Sequence, residues 1–600
     1  MKHSYKKVFF LQNSHAKRHS TLYTDAHHIF LIPLLLCCLT LSGCDTEQEA
    51  TTTSSAELET FMDDLFREQI TSNTLTLHYT LKNPADYGIT NITPTLGNYD
   101  TSTLENDKQE TIACLQELEQ IDTASLSEYM SFQYDVLHQY LESTIEGYTY
   151  TYYSEPLSPT TGIQAQLPVL LSEYSFYTKE DIDTYLALLS DVPNYFDSIL
   201  TFEQQKADKG LFMAEFAVED ICDQCNSFLS QETNFLISSF ASRLDTVEGL
   251  TASEKNKYIS MNEVCITEEV LPAYETLVSG LKEISSEHAG IDGGLYYLEG
   301  GSAYYEYLAK QTTGSDRSVE EMSNLLSYYF MEDIARMQEI VEENPSLETS
   351  SQSFTSNATP EEMLEQLREE MQSDFPTPVD VNYTVKYVDK SMEDYLSPAF
   401  YLTPPIDDAS SNVIYINNGR EKRQLDLYTT LAHEGYPGHL YQNTMAASYD
   451  LPAIRSLMYY GGYTEGWATY VEMYAYDFSG IDKASSEYLR IENALNLYLY
   501  ARLDMGIHGE GWKLDEVKEF LNNFGITNED ACQSVYHYII EEPANYLKYC
   551  IGYLEFRALR DYAQQNMKED YDAKEFHSFL LESGSAPFAL LQTRLKKFYL

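Results

Sequence analysis

The chain has 600 residues, 43% of them hydrophobic and 13% aromatic, which is ample for a large buried core and permits more than one domain. Its formal charge of −56 argues against nucleic acid or anionic lipid as a partner, because binding to phosphate relies on Lys and Arg. So acidic a surface mainly supports solubility.

In chain order, residues 1–43 read as a processing signal. Lys2, Lys6, Lys7, Lys17 and Arg18 precede the apolar run IFLIPLLLCCLTL, which is short for a transmembrane helix and suits a signal-peptide core. The run ends in Leu41-Ser42-Gly43-Cys44, which resembles the lipobox of bacterial lipoproteins. That resemblance implies lipidation of Cys44 and a membrane anchor on the extracytoplasmic face; an ordinary signal peptide with a chance cysteine is the alternative. Residues 44–58, acidic and rich in Thr and Ser, read as a flexible tether. Six further cysteines follow, Cys114, Cys222, Cys225, Cys265, Cys532 and Cys550, and an oxidising compartment would permit disulfides that sequence cannot pair. Cys222 and Cys225 form a lone CxxC, which favours free thiols or a local disulfide over a zinc knuckle.

From residue 59 onward apolar residues recur at three- and four-residue steps. Phe61, Met62, Leu65 and Phe66 open the pattern, and LSEYMSFQYDVLHQYLESTIEGY, KEDIDTYLALLSDVPNYFDSIL and VEEMSNLLSYYFMEDIARMQEIV continue it. These predict a mainly α fold over residues 59–600, with no stretch that has the length or composition of an interdomain linker. VNYTVKYV and NVIYINN instead cluster β-branched and aromatic residues between turn signals, and predict a small β element beside the segment that follows. A strand edge there could take an extended substrate backbone, with Tyr415 and Asn417 as candidate contacts, or could simply cover the core.

That next segment is LAHEGYPGHLY. His433 and His439 are candidate metal ligands and Glu434 a candidate general base. Six residues on a regular helix advance about 9 Å and turn about 240°, so one straight helix cannot bring both imidazoles to one ion. Pro437 lacks an amide hydrogen and clashes with the carbonyl of His433, and Gly438 adds freedom, so a kink or bulge is expected to bring His439 back to the His433 face. Glu465, 26 residues past His439 in YTEGWATYVEMY, is the candidate third ligand from a following helix. Asp504 and His508 lie four apart in ARLDMGIHGEGW, as a supporting carboxylate and a substrate-contacting histidine or as a plain helix-surface pair. Trp467 and Trp512, the two tryptophans, read as packing residues.

HEGYPGH, TEGWATY, RLDMGIHGEGW and PANYLKYCIGYLEFRALR, with GIQAQLPVLLSEY, GGSAYYEYLAKQTTGSDRSVEEM and SPAFYLTPPIDD upstream, resemble the successive motifs of the bacterial DUF885 family, which is usually grouped with zincin-like metallopeptidases. The resemblance implies a helical zincin-like fold similar to the angiotensin-converting-enzyme and oligopeptidase group: one large helical catalytic domain over residues 59–600 in two halves, with a substrate channel between them. It implies one zinc ion on His433, His439 and Glu465, Glu434 as base, and Tyr549 as a hydrogen-bond donor to the tetrahedral oxyanion of a peptide substrate. His537-Tyr538 stands where the family usually carries an Arg-Tyr pair, which leaves anchoring of substrate by a cation in doubt. Beside this reading stand a peptide- or solute-binding lipoprotein without catalysis and a hydrolase of cell-wall or sugar bonds using paired carboxylates. The second has no specific support, since among 94 acidic residues pairs must occur.

Overall fold

The structure, a computed structural model, describes residues 47–599 apart from 289, 346, 348–353, 355–357, 389–392, 394–396, 409, 411, 420–423 and 450. The leader and Cys44 therefore lie outside the described residues. Helices dominate, and the four patterned segments become Glu47–Ile70, Glu128–Gly147, Lys179–Asp208 and Val319–Glu343. Their starts follow from local chemistry. Ser127, Thr178 and Ser318 each accept a hydrogen bond from an otherwise unpaired amide of the first turn, and Asp181 and Glu321 return the bond to Thr178 and Ser318.

The expected tether is corrected in part, because the first helix begins at Glu47. Ser54, Leu58, Met62 and Leu65 fall on one buried stripe, so the buried face of this helix reaches back to Ser54. None of the described helices is long and apolar enough to cross a membrane.

One compact unit comprises residues 47–292 with 405–408. Its core is built where Lys179–Asp208, Glu215–Leu229 and Leu271–Glu287 pack together, with Phe196 and Phe228 against the buried Tyr274 ring at centroid distances of 4.9 and 4.5 Å. Cys222 and Cys225 face this core as free thiols, and Cys114, Cys265, Cys532 and Cys550 are also unbridged. The buried Lys206 ammonium is neutralised by Glu155 and by Glu203, 3.3 Å away. Leaving either charge alone in so dry a place would be costly.

The other unit comprises residues 293–404 and 409–599. It carries a three-stranded sheet in the order β1-β3-β2, with β1 at Tyr383–Tyr387, β2 at Ala399–Leu402 and β3 at Asn412–Ile416. β1 runs parallel to β3, pairing Tyr383 with Asn412 and Tyr387 with Ile416, and β2 runs antiparallel, pairing Ala399 with Ile416 and Leu402 with Val413. The two predicted strands are present. However, β3 is central, so its main chain is consumed on both sides and the sheet's edges belong to β1 and β2. β2 escaped the sequence reading because it is only four residues long and ends before a proline pair.

Helix Gly461–Phe478 and helix Asn545–Met567 cross at very short range through facing glycines. A β-carbon on Gly466 would stand 2.4 Å from the carbonyl carbon of Gly552, and one on Gly552 would stand 2.2 Å from the oxygen of Gly462. Only bare glycine backbones permit that approach. Beyond the contact, Trp467 and Tyr470 pack on Phe556 at 5.8 and 6.0 Å, which locks the register of the two helices.

Candidate metal centre

The segment LAHEGYPGHLY forms two helices rather than one distorted helix. Gln424–Glu434 ends at the candidate base, and a new helix begins at His439 and runs to Ser448. Between them Gly435 to Gly438 leave the helical conformation, with the Tyr436–Pro437 peptide cis. The expected kink is thus replaced by a complete break. Gly438 is indispensable to it, since a β-carbon there would lie 1.8 Å from the carbonyl oxygen of His433 and 2.3 Å from that of Ala432. Trp467 secures the turn from below: its indole N–H donates to the Pro437 carbonyl at 3.0 Å while its ring is wholly buried. Packing was expected of Trp467; the hydrogen bond was not. Trp512 is half-buried, under the Arg502 guanidinium at 4.4 Å.

The break brings the imidazoles together. Their ring centroids are 4.8 Å apart and nearly perpendicular at 83°. Glu465, one turn into its helix, completes a cluster whose candidate ligand atoms all lie within 4.8 Å of one another. Its Oε2 stands 3.4 Å from His433 Nε2 and 3.7 Å from His439 Nε2. Two ligands of a tetrahedral zinc ion, each about 2.0–2.1 Å from it, are separated by roughly 3.4 Å. Donor types and spacings therefore fit such an ion, and all three side chains are buried.

A fourth residue, Glu472, was missed in the sequence. Its Oε2 lies 3.1 Å from His433 Nδ1, so the ring can donate its Nδ1 hydrogen to the carboxylate and present Nε2 to the space it shares with Glu465 and His439. The available signal was spacing: Glu472 follows Glu465 by seven residues, two helical turns, and shares its face. Burial disfavours the charged form of His433, but Glu465 and Glu472 outweigh it and raise its pKa to about 10. His439 is likewise opposed by burial and raised on balance by Glu465. The same field that holds protons on these rings favours a metal cation in their place, with both imidazoles neutral.

Glu434 closes the helix beside His433 and is 4% exposed. Burial raises its pKa, assisted by Glu465 and opposed by both histidines. Its Oε2 accepts the main-chain N–H of Tyr401 at 3.0 Å. β2, not β3, is therefore the strand whose outer edge meets the base. Tyr549 is buried on the helix that crosses the Glu465 helix, three residues before the Gly552 contact.

The remaining candidates are corrected. Tyr415 stacks on Phe400 across the β2–β3 pair at 4.9 Å and 9°, a packing role. Asn417 is 2% exposed; its amide donates to the Glu393 carbonyl at 2.8 Å and its Oδ1 accepts the Gly419 N–H at 3.0 Å, so it organises the loops at the end of β3. His508 is fully buried, with Nδ1 accepting the Leu295 N–H at 3.1 Å and Nε2 facing the Ile539 carbonyl at 2.8 Å, so both nitrogens serve main chain and neither serves a substrate. Asp504 does not pair with it. A wide π-helical turn over Met505–Gly509 breaks the spacing that would align positions four apart, and Asp504 Oδ1 instead accepts the Tyr305 hydroxyl at 2.5 Å and the Ala544 N–H at 3.1 Å.

With this geometry in hand, residues 85–595 match the family described as "Bacterial protein of unknown function (DUF885)", and the chain belongs to that family. Among solved structures it resembles the "putative lipoprotein" from Colwellia psychrerythraea, at 20% identity and a TM-score of 0.73, over 92% of this chain and 99% of that one. It also resembles the "putative lipoprotein of unknown function" from Shewanella oneidensis, at 16% identity and a TM-score of 0.57, over 92% of this chain and 100% of that one. At these identities the likeness establishes the fold. No curated protein matches the chain.

Burial raises the Asp504 pKa to about 7, against about 3.9 in an unfolded chain. The folded state thus holds a proton that the unfolded state releases, so this group's contribution to stability is greatest below about pH 4, falls as the pH rises toward 7 and is level above. Asp504→Asn is expected to remove that slope. Denaturant midpoints of both proteins measured from about pH 4 to pH 8 check it, and parallel profiles would refute it.

Proposed function

We propose that this protein is a zinc-dependent peptidase held on the extracytoplasmic face of a membrane by a lipid at Cys44. The convergence of His433, His439 and Glu465, with Glu434 buried alongside, is the observation that carries the reading. Zinc at this position would supply Lewis acidity, polarising a scissile carbonyl and acidifying water. The protein's own groups do the rest. Glu472 fixes the tautomer of His433, Glu434 accepts a proton from the attacking water and delivers it to the departing amine, and the Tyr401 N–H steadies Glu434 between the two transfers. Burial raises the pKa of Glu434, which makes it a better proton acceptor than an exposed carboxylate. Tyr549 is assigned the oxyanion, where a donor acts only on charge developed in the transition state.

The lipoprotein names of the two solved relatives and the lipobox-like Leu41-Ser42-Gly43-Cys44 together support the anchor. Cys44→Ser is expected to move the protein from the membrane to the soluble fraction; unchanged membrane association on fractionation would remove the lipid from the account.

The purified protein is expected to contain one zinc ion by metal analysis. His433→Ala should lose it, Glu472→Ala should weaken it by about 10- to 100-fold in competition with a chelator, and Glu434→Gln should keep it while kcat on a peptide library falls by about 10²- to 10⁴-fold. Stoichiometric zinc with no cleavage of any peptide would favour a peptide- or solute-binding lipoprotein in place of the enzyme.

A further inference from the structure

We infer that Asp504 and His508 are positioning residues: from the two ends of one π-helical turn they bracket the segment 539–544 and thereby set where the helix carrying Tyr549 begins. The two side chains grip opposite ends of that segment. His508 receives the Leu295 N–H on Nδ1, which places its own hydrogen on Nε2, and that hydrogen is donated to the carbonyl of Ile539 at 2.8 Å, within helix Glu529–Glu541. Asp504 takes the N–H of Ala544, the residue that opens helix Asn545–Met567, at 3.1 Å.

Ala544 is the reason a bracket is needed. It is fully buried and sits in the left-handed region at φ 64° and ψ 2°, a conformation that a residue with a β-carbon rarely adopts. Without an acceptor its N–H would be stranded in a dry interior, and the chain would relax toward a right-handed conformation. Asp504 Oδ1 prevents this, and the Tyr305 hydroxyl, donating to the same oxygen at 2.5 Å, holds the carboxyl in place. Tyr546, stacked on Tyr500 at 4.6 Å, steadies the first turn from outside.

What the bracket controls follows from helix geometry. Tyr549 is five residues after Ala544, and each residue of a helix turns the chain about 100°. A helix started one residue early or late would therefore aim Tyr549 elsewhere. The bracket fixes the start, and glycine contacts fix the register beyond it: Lys548 Cβ lies 3.1 Å from where a Gly461 β-carbon would be, and Gly552 rests on Gly462 and Gly466. Tyr549 falls between those points, while His433, His439 and Glu465 are held by other elements. Loss of the bracket should disturb Tyr549 and spare the metal ligands. The role given to Tyr549 rests on the peptidase reading; the bracket itself does not.

The experiment uses the full zinc-loaded protein and the variants Asp504→Ala, Asp504→Asn, Ala544→Gly, Asp504→Ala with Ala544→Gly, and Tyr549→Phe alone and with Asp504→Ala. Backbone hydrogen exchange over residues 544–552 should quicken at least about 10-fold in Asp504→Ala. It should return toward normal when Ala544→Gly is added, because glycine adopts the left-handed conformation freely. Asp504→Asn, which keeps an oxygen for both donors, should exchange like the unaltered protein, so a folded comparison exists even if Asp504→Ala does not fold. Zinc affinity in chelator competition should be unchanged in every folded variant. Tyr549→Phe should lower kcat by about 10²- to 10³-fold, and adding Asp504→Ala should lower it no further. Unchanged exchange at 544–552 in Asp504→Ala, or a full additional loss of kcat on top of Tyr549→Phe, would overturn the inference. If the unaltered protein holds zinc and cleaves nothing, the peptidase reading falls, and the exchange data alone decide the bracket.

Discussion

The candidate site depends on a steric fact at one residue. The chain leaves the His433 helix and folds back so closely over its end that position 438 lies against the carbonyls of His433 and Ala432. No side chain fits there. Because the helix is fully broken, the second histidine starts a new helix instead of continuing the old one, and its direction is free of the first helix's 100° per residue. Everything downstream uses that freedom: His439 meets His433, Glu465 approaches both, and Trp467, two residues beyond Glu465, holds the turn by its carbonyl.

Much of this was legible in the sequence because the residue types are unusual and their spacing is tied to helical geometry. His433, Glu434, His439 and Glu465 follow from the motif and from the helix predicted around TEGWATY. The physical route was misread, as a kink, since a proline predicts interruption without saying how far it goes. Glu472 has the right interval from Glu465, but interval alone does not say which face of a buried helix looks toward His433. β2 was hidden by its length, and its absence from the reading shifted the edge role onto β3. Fold class came through better, because apolar periodicity reports burial directly, and it failed only where Thr and Ser on the first helix masked a stripe continuing back to Ser54.

Asp504 and His508 show a different limit. Four-residue spacing was sound for an α-helix, but the chain adopts the wider π turn at Met505–Gly509, and each side chain reaches main chain instead of its neighbour. Perturbed groups at the heart of a protein are often taken for participants in chemistry. Here a histidine and a carboxyl with strongly shifted pKa values are fully spent on holding backbone, and their value to a site is architectural.

Glu465 and Glu472 occupy one helix, two turns apart, and both address the ring of His433. A single rigid rod thus carries one group that confronts His433 Nε2 and another that confronts its Nδ1, gripping the imidazole like the jaws of a caliper. Inserting or deleting even one residue between Gly466 and Val471 would swing one jaw about 100° away. The interval is therefore as binding as the identities of Gly466, Trp467 and Tyr470 within it.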